Sequence, residues 1–263
     1  MTENKEANNE ISAIKNYWND KKESFVMFHQ GWTDIILCIG LIFYNLDNYS
    51  NVVLLMREDS KDMIDFIFRN IININIIYIN KKLLDTDYKY KVIAEYKNKN
   101  FDINLYGASL NKKINHIPND LANKYHFYKS YSIDENLSIE NFKIERNYEL
   151  EDNKYKDLIN KIGDKYVIIF DDKDRNLSID KSKIINKILP TFNLCNSSKI
   201  CFDLIKIIEN AEEIHILSTF WSLIIYQLQK KYNLFNKNNI YFHDSVRIGY
   251  YSSLYENNNW IIV

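Results

Sequence analysis

The sequence predicts an α/β protein of two Rossmann-like halves facing across a cleft, and three observations carry that expectation. Short apolar runs of strand length, Phe25 to Phe28, Val52 to Met56 and Ile74 to Ile79, alternate with segments of helical periodicity. The alternation restarts after a polar stretch, at Tyr166 to Phe170 and Ile214 to Leu217. Strand ends that open into loops or candidate helix starts occur in both halves, at 28–34, at Asp171 and at Ser218. In an open α/β sheet such junctions lie at the carboxyl ends of strands, where ligands bind.

Taken in order, residues 1–9 are polar and read as disordered, and Ile11, Ile14, Tyr17 and Trp18 recur at the spacing of a short amphipathic helix. Phe25 to Phe28 reads as a buried strand that breaks at Gly31 into a long apolar helix without proline. Asp34 is the expected N-cap, because its carboxylate can accept the orphan amides of the first turn. Val52 to Met56 is the second strand, and Ser60 is expected to cap a helix whose apolar face is Met63, Ile64, Ile67 and Phe68. Ile74 to Ile79 is the third strand, and the partial alternation of Tyr90 to Tyr96 and Ile103 to Tyr106 reads as further strands. Leu121 to Tyr131 is aromatic and helical in character, whereas Asp134 to Arg146 is polar and reads as a linker. An amphipathic helix through Tyr155, Leu158, Ile159 and Ile162 is expected to stop at Gly163. After the Tyr166 to Phe170 strand, Ile184 to Leu189 fits neither period, and Phe202 to Ile208 is helical. Ile214 to Leu217 then gives a strand and Phe220 to Tyr232 a helix, with late strands at Ile240 to Phe242 and Trp260 to Val263. The expected division is one half over 1–133, a linker over 134–148 and a second half over 149–263.

Composition narrows the function classes. The 263 residues are 46% hydrophobic and 26% charged, enough to bury a core. A net charge of −1 with no clustered basic face argues against a nucleic-acid partner. Cys38, Cys195 and Cys201 show no metal-ligand spacing and fit reduced thiols in a cytoplasmic setting. No signal peptide opens the chain, and the longest apolar run, Ile35 to Tyr44, is too short to span a bilayer.

His29-Gln-Gly-Trp-Thr-Asp34, followed by the apolar run to Gly40, resembles the H-x-G-x-G-D-x-I-x-x-x-G signature of small glycosyltransferase-like proteins of bacteria and large DNA viruses. It is similar in turn to the G-x-G-D opening of the heptosyltransferases. Ile168 to Arg175 resembles that family's H-D-D-x-x-R segment, and Ile208 to Thr219 its I-x-x-A-x-E-I-H-x-x-x-S-S stretch; Tyr241 to Arg247 and Asn259-Trp260 also fit. The resemblance implies a compact GT-B arrangement, with a glycan-type acceptor on the N-terminal domain and a nucleotide sugar on the C-terminal one; the expected enzyme is metal-independent and without cofactor. Thr33 stands where the family has its second glycine, and Phe170 where it has a histidine. These two positions favour the alternative, a non-catalytic nucleotide- or glycan-binding module on the same scaffold.

Glycosyl transfer needs a base for the acceptor hydroxyl and a group that stabilises the departing diphosphate. By likeness, Asp34 is the base, with His29, Gly31, Trp32 and Thr33 lining the acceptor side. Asp171, Asp172, Arg175, Ser218, Thr219, His243 and Arg247 are the donor-binding candidates. Arg175 can grip phosphate bidentately, and hydroxyls at a helix start suit phosphate. Each has a plainer alternative: a cap for Asp34, Ser218 and Thr219, an ion pair with a neighbouring aspartate for Arg175, and a satisfied core position for His215. Asp171 and Asp172 are adjacent, so in extended chain they point apart and chelate one metal ion poorly.

Overall fold

The computed structural model describes residues 22–28, 31–84, 88–106, 127–128, 131–172, 175–195, 199–243 and 259–263. The expected helix at 11–18, and all but residues 127, 128 and 131 of the one expected over 121–131, therefore lie outside the described residues.

The first half is a strand-helix series: β1 (Glu23–Phe28), α1 (Trp32–Asn48), β2 (Asn51–Arg57), α2 (Lys61–Phe68), β3 (Ile74–Ile79), α3 (Lys81–Leu84), α4 (Tyr88–Asn98) and β4 (Asp102–Tyr106). Its four strands form a parallel sheet in the order β3-β2-β1-β4. The second half comprises α5 (Leu137–Glu140), α6 (Tyr148–Ile162), β5 (Val167–Phe170), β6 (Thr191–Asn193), α7 (Ile205–Glu209), β7 (Glu213–Leu217), α8 (Phe220–Tyr232), β8 (Asn239–His243) and β9 (Ile261–Ile262). Its five strands form a second parallel sheet in the order β6-β5-β7-β8-β9.

Alternation along the strands decides what each face packs against. Phe25, Val53, Leu55 and Ile79 meet Val92, Ile93 and Tyr96 of α4 on the outer face of the first sheet. Val26, Val52, Leu54 and Met56 point the other way, into an apolar cluster shared with α1, α8 and the inward residues Ile168, Ile214, Ile216 and Phe242 of the second sheet. One contiguous core thus runs through both sheets. The outer face of the second sheet is covered by an irregular segment that buries Ile179 and Ile184 against Val167, Ile169 and Leu217.

Three local expectations change. Tyr90 to Tyr96 is helix, not strand: Val92, Ile93 and Tyr96 are one stripe of α4 laid on the sheet, and their spacing mimics partial alternation. Ser60 precedes α2 without capping it, because its hydroxyl donates to the Arg57 carbonyl at 2.7 Å instead. The polar 134–148 stretch is not simply a spacer; it forms α5 and buries Ser138, Phe142 and Ile144. At the C-terminus of α6 Gly163 adopts φ 89°, ψ 175°, a conformation that other residues avoid.

The α5 backbone presses on α1 at Gly40, where a Cβ would sit 2.3 Å from the Leu137 carbonyl oxygen. Mid-helix glycine normally loses about 1 kcal/mol to alanine. Here the sign reverses. Gly40→Ala is expected to destabilise the fold by roughly 1–3 kcal/mol through overpacking against backbone, seen as a lower midpoint in urea unfolding; an unchanged or higher midpoint would show that α5 yields freely.

Candidate functional site

Strand order gives each sheet one switch point. In the first sheet the chain runs from β1 outward to β3 and then returns to β4 on the far side of β1, so the switch point lies between β1 and β4. In the second it lies between β5 and β7. The crevice outside the carboxyl ends of strands at such a point is the usual ligand site of an open α/β sheet. Gly31 to Asp34 follow β1, Asp171 and Asp172 follow β5, and Ser218 and Thr219 follow β7. The two helices that leave these points meet at their first residues: the Trp32 and Phe220 rings are 6.0 Å apart, tilted by 34°. The α1 and α8 N-termini therefore share one junction.

Around α1 the cap is Gly31, whose carbonyl accepts the Ile35 amide at 3.0 Å. Asp34 is not the cap but sits three residues further in, within the first turn, where a carboxylate is favoured by the unsatisfied amides of the helix start. It lies close enough to Cys38 to add to the effect of burial, which holds that thiol well above its usual pKa. Gly31 is extended, at φ −67°, and Thr33 is helical, so neither uses the left-handed backbone for which glycine is needed. Half-buried Trp32 also carries the Arg57 guanidinium over its ring, 5.4 Å from the centroid. Arg57 ends β2, is 8% exposed and pairs with Asp59. The sequence reading passed over Arg57, although a cation closing the apolar run of β2 was its visible signal. His29 falls outside the described residues.

In the second half Asp171 accepts the Ile179 amide at 2.8 Å and the Asn193 side-chain amide at 2.7 Å. Asp172 accepts the Arg175 amide at 3.1 Å and pairs with its guanidinium at 2.5 Å. The adjacent carboxylates thus serve different partners, and among the described residues no group of three or more acidic, histidine or cysteine side chains could hold a metal ion. Thr219 caps α8, accepting the Trp221 amide at 3.2 Å. Ser218 is buried, and its hydroxyl has no partner among the described residues. Phe170 faces the core, its ring 4.7 Å from that of Trp221. Arg247 lies outside the described residues.

Beside this junction runs a buried polar chain. Glu213 Oε2 lies 3.1 Å from His215 Nε2, and His215 Nδ1 lies 3.0 Å from His243 Nε2. The His215 ring stacks on Tyr241 at 4.6 Å. His215 fits the satisfied core position expected of it, yet its partner Glu213 was missed; two polar side chains at alternate positions of an apolar strand were the signal. Burial pushes His215 below the usual histidine value, against the pull of Glu213. Burial, helped by His215 and Lys183 and opposed by Asp180, pushes His243 down to about 4.

These depressed values make stability depend on acid. The unfolded chain takes up protons near pH 6.5, whereas folded His243 resists until about 4. The stabilisation is complete above pH 6.5 and is lost as pH falls through that window, by up to roughly 3 kcal/mol for His243. Urea midpoints measured from pH 7.5 to 4.5 should fall, and less steeply in His243→Gln; parallel slopes would show that carboxylates elsewhere cause the loss.

No family model and no curated protein matches the chain. Among solved structures it is similar to a glycosyl transferase family 9 protein from Veillonella parvula, with 9% identity and a TM-score of 0.47 over 84% of this chain and 80% of that one. It is also similar to TibC, an iron-containing dodecameric glycosyltransferase from enterotoxigenic E. coli, with 10% identity and a TM-score of 0.36. That likeness covers 85% of this chain and 58% of the other.

Proposed function

We propose that the protein is a metal-independent glycosyltransferase of compact GT-B type, moving a sugar from a nucleotide sugar to a hydroxyl of a glycan-type acceptor. The observation that carries this reading is the junction itself. Two switch-point helices begin side by side at Trp32 and Phe220, one with Asp34 in its first turn and the other behind a Ser218 hydroxyl that has no partner among the described residues. In this reading residues 1–133 hold the acceptor and 149–263 the donor. The start of α8, with Ser218 and Thr219, receives the diphosphate through backbone amides and the helix dipole. Asp34 takes the acceptor proton as the acceptor oxygen bonds to the sugar carbon and the bond from that carbon to the diphosphate breaks. Arg175 would have to leave Asp172 to reach a phosphate, and His29, Asp171, His243 and Arg247 complete the proposed lining.

The carboxylates of Asp171 and Asp172 are taken up by protein donors, which supports transfer without a bridging cation. Thr33 and Phe170 no longer weigh as heavily for the binding-module alternative, since one is an ordinary helical residue and the other a core residue. A cytoplasmic setting belongs to this reading, and none of the three cysteines is in a disulfide. Thermal shift against nucleoside diphosphates and nucleotide sugars, in EDTA, tests the reading. A ligand at 100 times its Kd adds roughly 2.7 kcal/mol, or several degrees in a chain of this size. A shift with nucleotides but not with free sugars is expected, and no shift with any of them would refute it.

A further inference from the structure

The Glu213–His215–His243 chain moves no proton in the proposed transfer step, and with Glu213 as a carboxylate its donor-acceptor arithmetic has one solution. The Glu213 carboxylate only accepts, and the Ile185 amide already donates to it at 3.3 Å. His215 must then present N–H at Nε2 and a bare lone pair at Nδ1. His243 in turn must donate from Nε2 into that lone pair, which leaves its own Nδ1 bare. Tyr241 holds the His215 ring in plane from β8. Asp180 and Lys183 lie near His243 from the segment that covers this face, and burial together with Lys183 keeps the ring neutral. His243 ends β8, paired in register with Leu217, so it sits at the carboxyl edge one residue from Ser218. Among the described residues no hydrogen bond reaches its Nδ1.

We propose that this chain fixes His243 Nδ1 as a hydrogen-bond acceptor that selects a neutral hydroxyl or N–H donor on the nucleoside part of the ligand, with Glu213 and His215 as positioning residues. The proposal rests on the nucleotide reading above and divides the ligand between two neighbouring features. The helix start at Thr219 suits the anionic diphosphate. A bare imidazole lone pair repels phosphate oxygens and takes a donor.

Two measurements test it. In 15N spectra of imidazole-labelled protein at neutral pH, both rings should be protonated at Nε2 alone. Glu213→Gln, whose amide can donate as well as accept, should shift at least one ring toward the other tautomer. Calorimetry with UDP, ADP and GDP beside pyrophosphate tests the ligand side. His243→Gln keeps a donor near the Nε2 position but loses the Nδ1 acceptor. It should weaken the best-bound nucleotide by about tenfold, the size of one hydrogen bond, and leave pyrophosphate unchanged. Protonation of His243 at Nδ1 in the wild type overturns the proposal, as does equal loss for nucleotide and pyrophosphate. Wild-type nucleotide binding that His243→Gln leaves intact overturns this proposal alone. A wild type that binds no nucleotide overturns the function reading and the ligand assignment together, while the spectra still decide the tautomers.

Discussion

Asp34→Asn is expected to lower turnover by roughly 10²–10⁴-fold, the usual share of general base catalysis, while fold and donor binding persist. The reason lies in where Asp34 stands. Gly31 caps α1, so the substitution removes no cap and costs only the favourable meeting of a carboxylate with the helix start. That cost is about 1 kcal/mol or less. Asparagine has nearly the same shape, yet its amide cannot take the acceptor proton. The diphosphate is expected at α8, so nucleotide affinity should match the wild type. Single-turnover transfer with a saturating nucleotide sugar separates the roles. Unchanged transfer in the mutant would place the base elsewhere, and loss of nucleotide binding would show that the junction is not divided as proposed.

Arg146→Ala should cause the largest loss of stability, roughly 3–5 kcal/mol, because it strands a buried charge. Glu151 on α6 is fully buried, and Arg146 donates to it from Nε at 2.9 Å and Nη2 at 2.5 Å. The same guanidinium reaches Glu209, at the end of α7, at 2.7 Å. The pair of carboxylates holds the guanidinium pKa above its already high value, against the effect of burial. One arginine thereby joins the segment ahead of α6 to α7, and its removal leaves two carboxylates facing each other. Arg146→Ala with Glu151→Gln should recover part of the loss, since the stranded group is then neutral. Urea unfolding of the single and double variants measures both effects, and a single variant within 1 kcal/mol of wild type would show that water reaches Glu151 after all.

Most of the secondary structure was legible in the order of residues. Ile74 to Ile79 and Phe220 to Tyr232 were placed with their observed bounds, since apolar period and strand-to-helix breaks are properties of the chain itself. Gly163 likewise announced the end of α6, because only glycine readily takes its backbone angles. Failures came where period alone is ambiguous or where the partner is remote. Tyr90 to Tyr96 gave too few apolar positions to separate one helical stripe from alternation. The short β6 (Thr191–Asn193) has no pattern of its own and is a strand only because β5 pairs with it.

For the site, the sequence by itself determined that chemistry-bearing residues stand at strand ends: Asp34 after β1, Asp171 after β5 and Ser218 after β7. Tertiary structure alone decided which of those ends become switch points, because strand order is set by packing between residues far apart in the chain. It brought Trp32 to Phe220, gave Arg175 to Asp172 and joined Glu213 to His243 through His215. Each of these pairings except that of Arg175 spans at least 28 positions from first to last residue, and no local period encodes a partner at that distance. The sequence fixes which groups a strand end presents; long-range burial decides what they face.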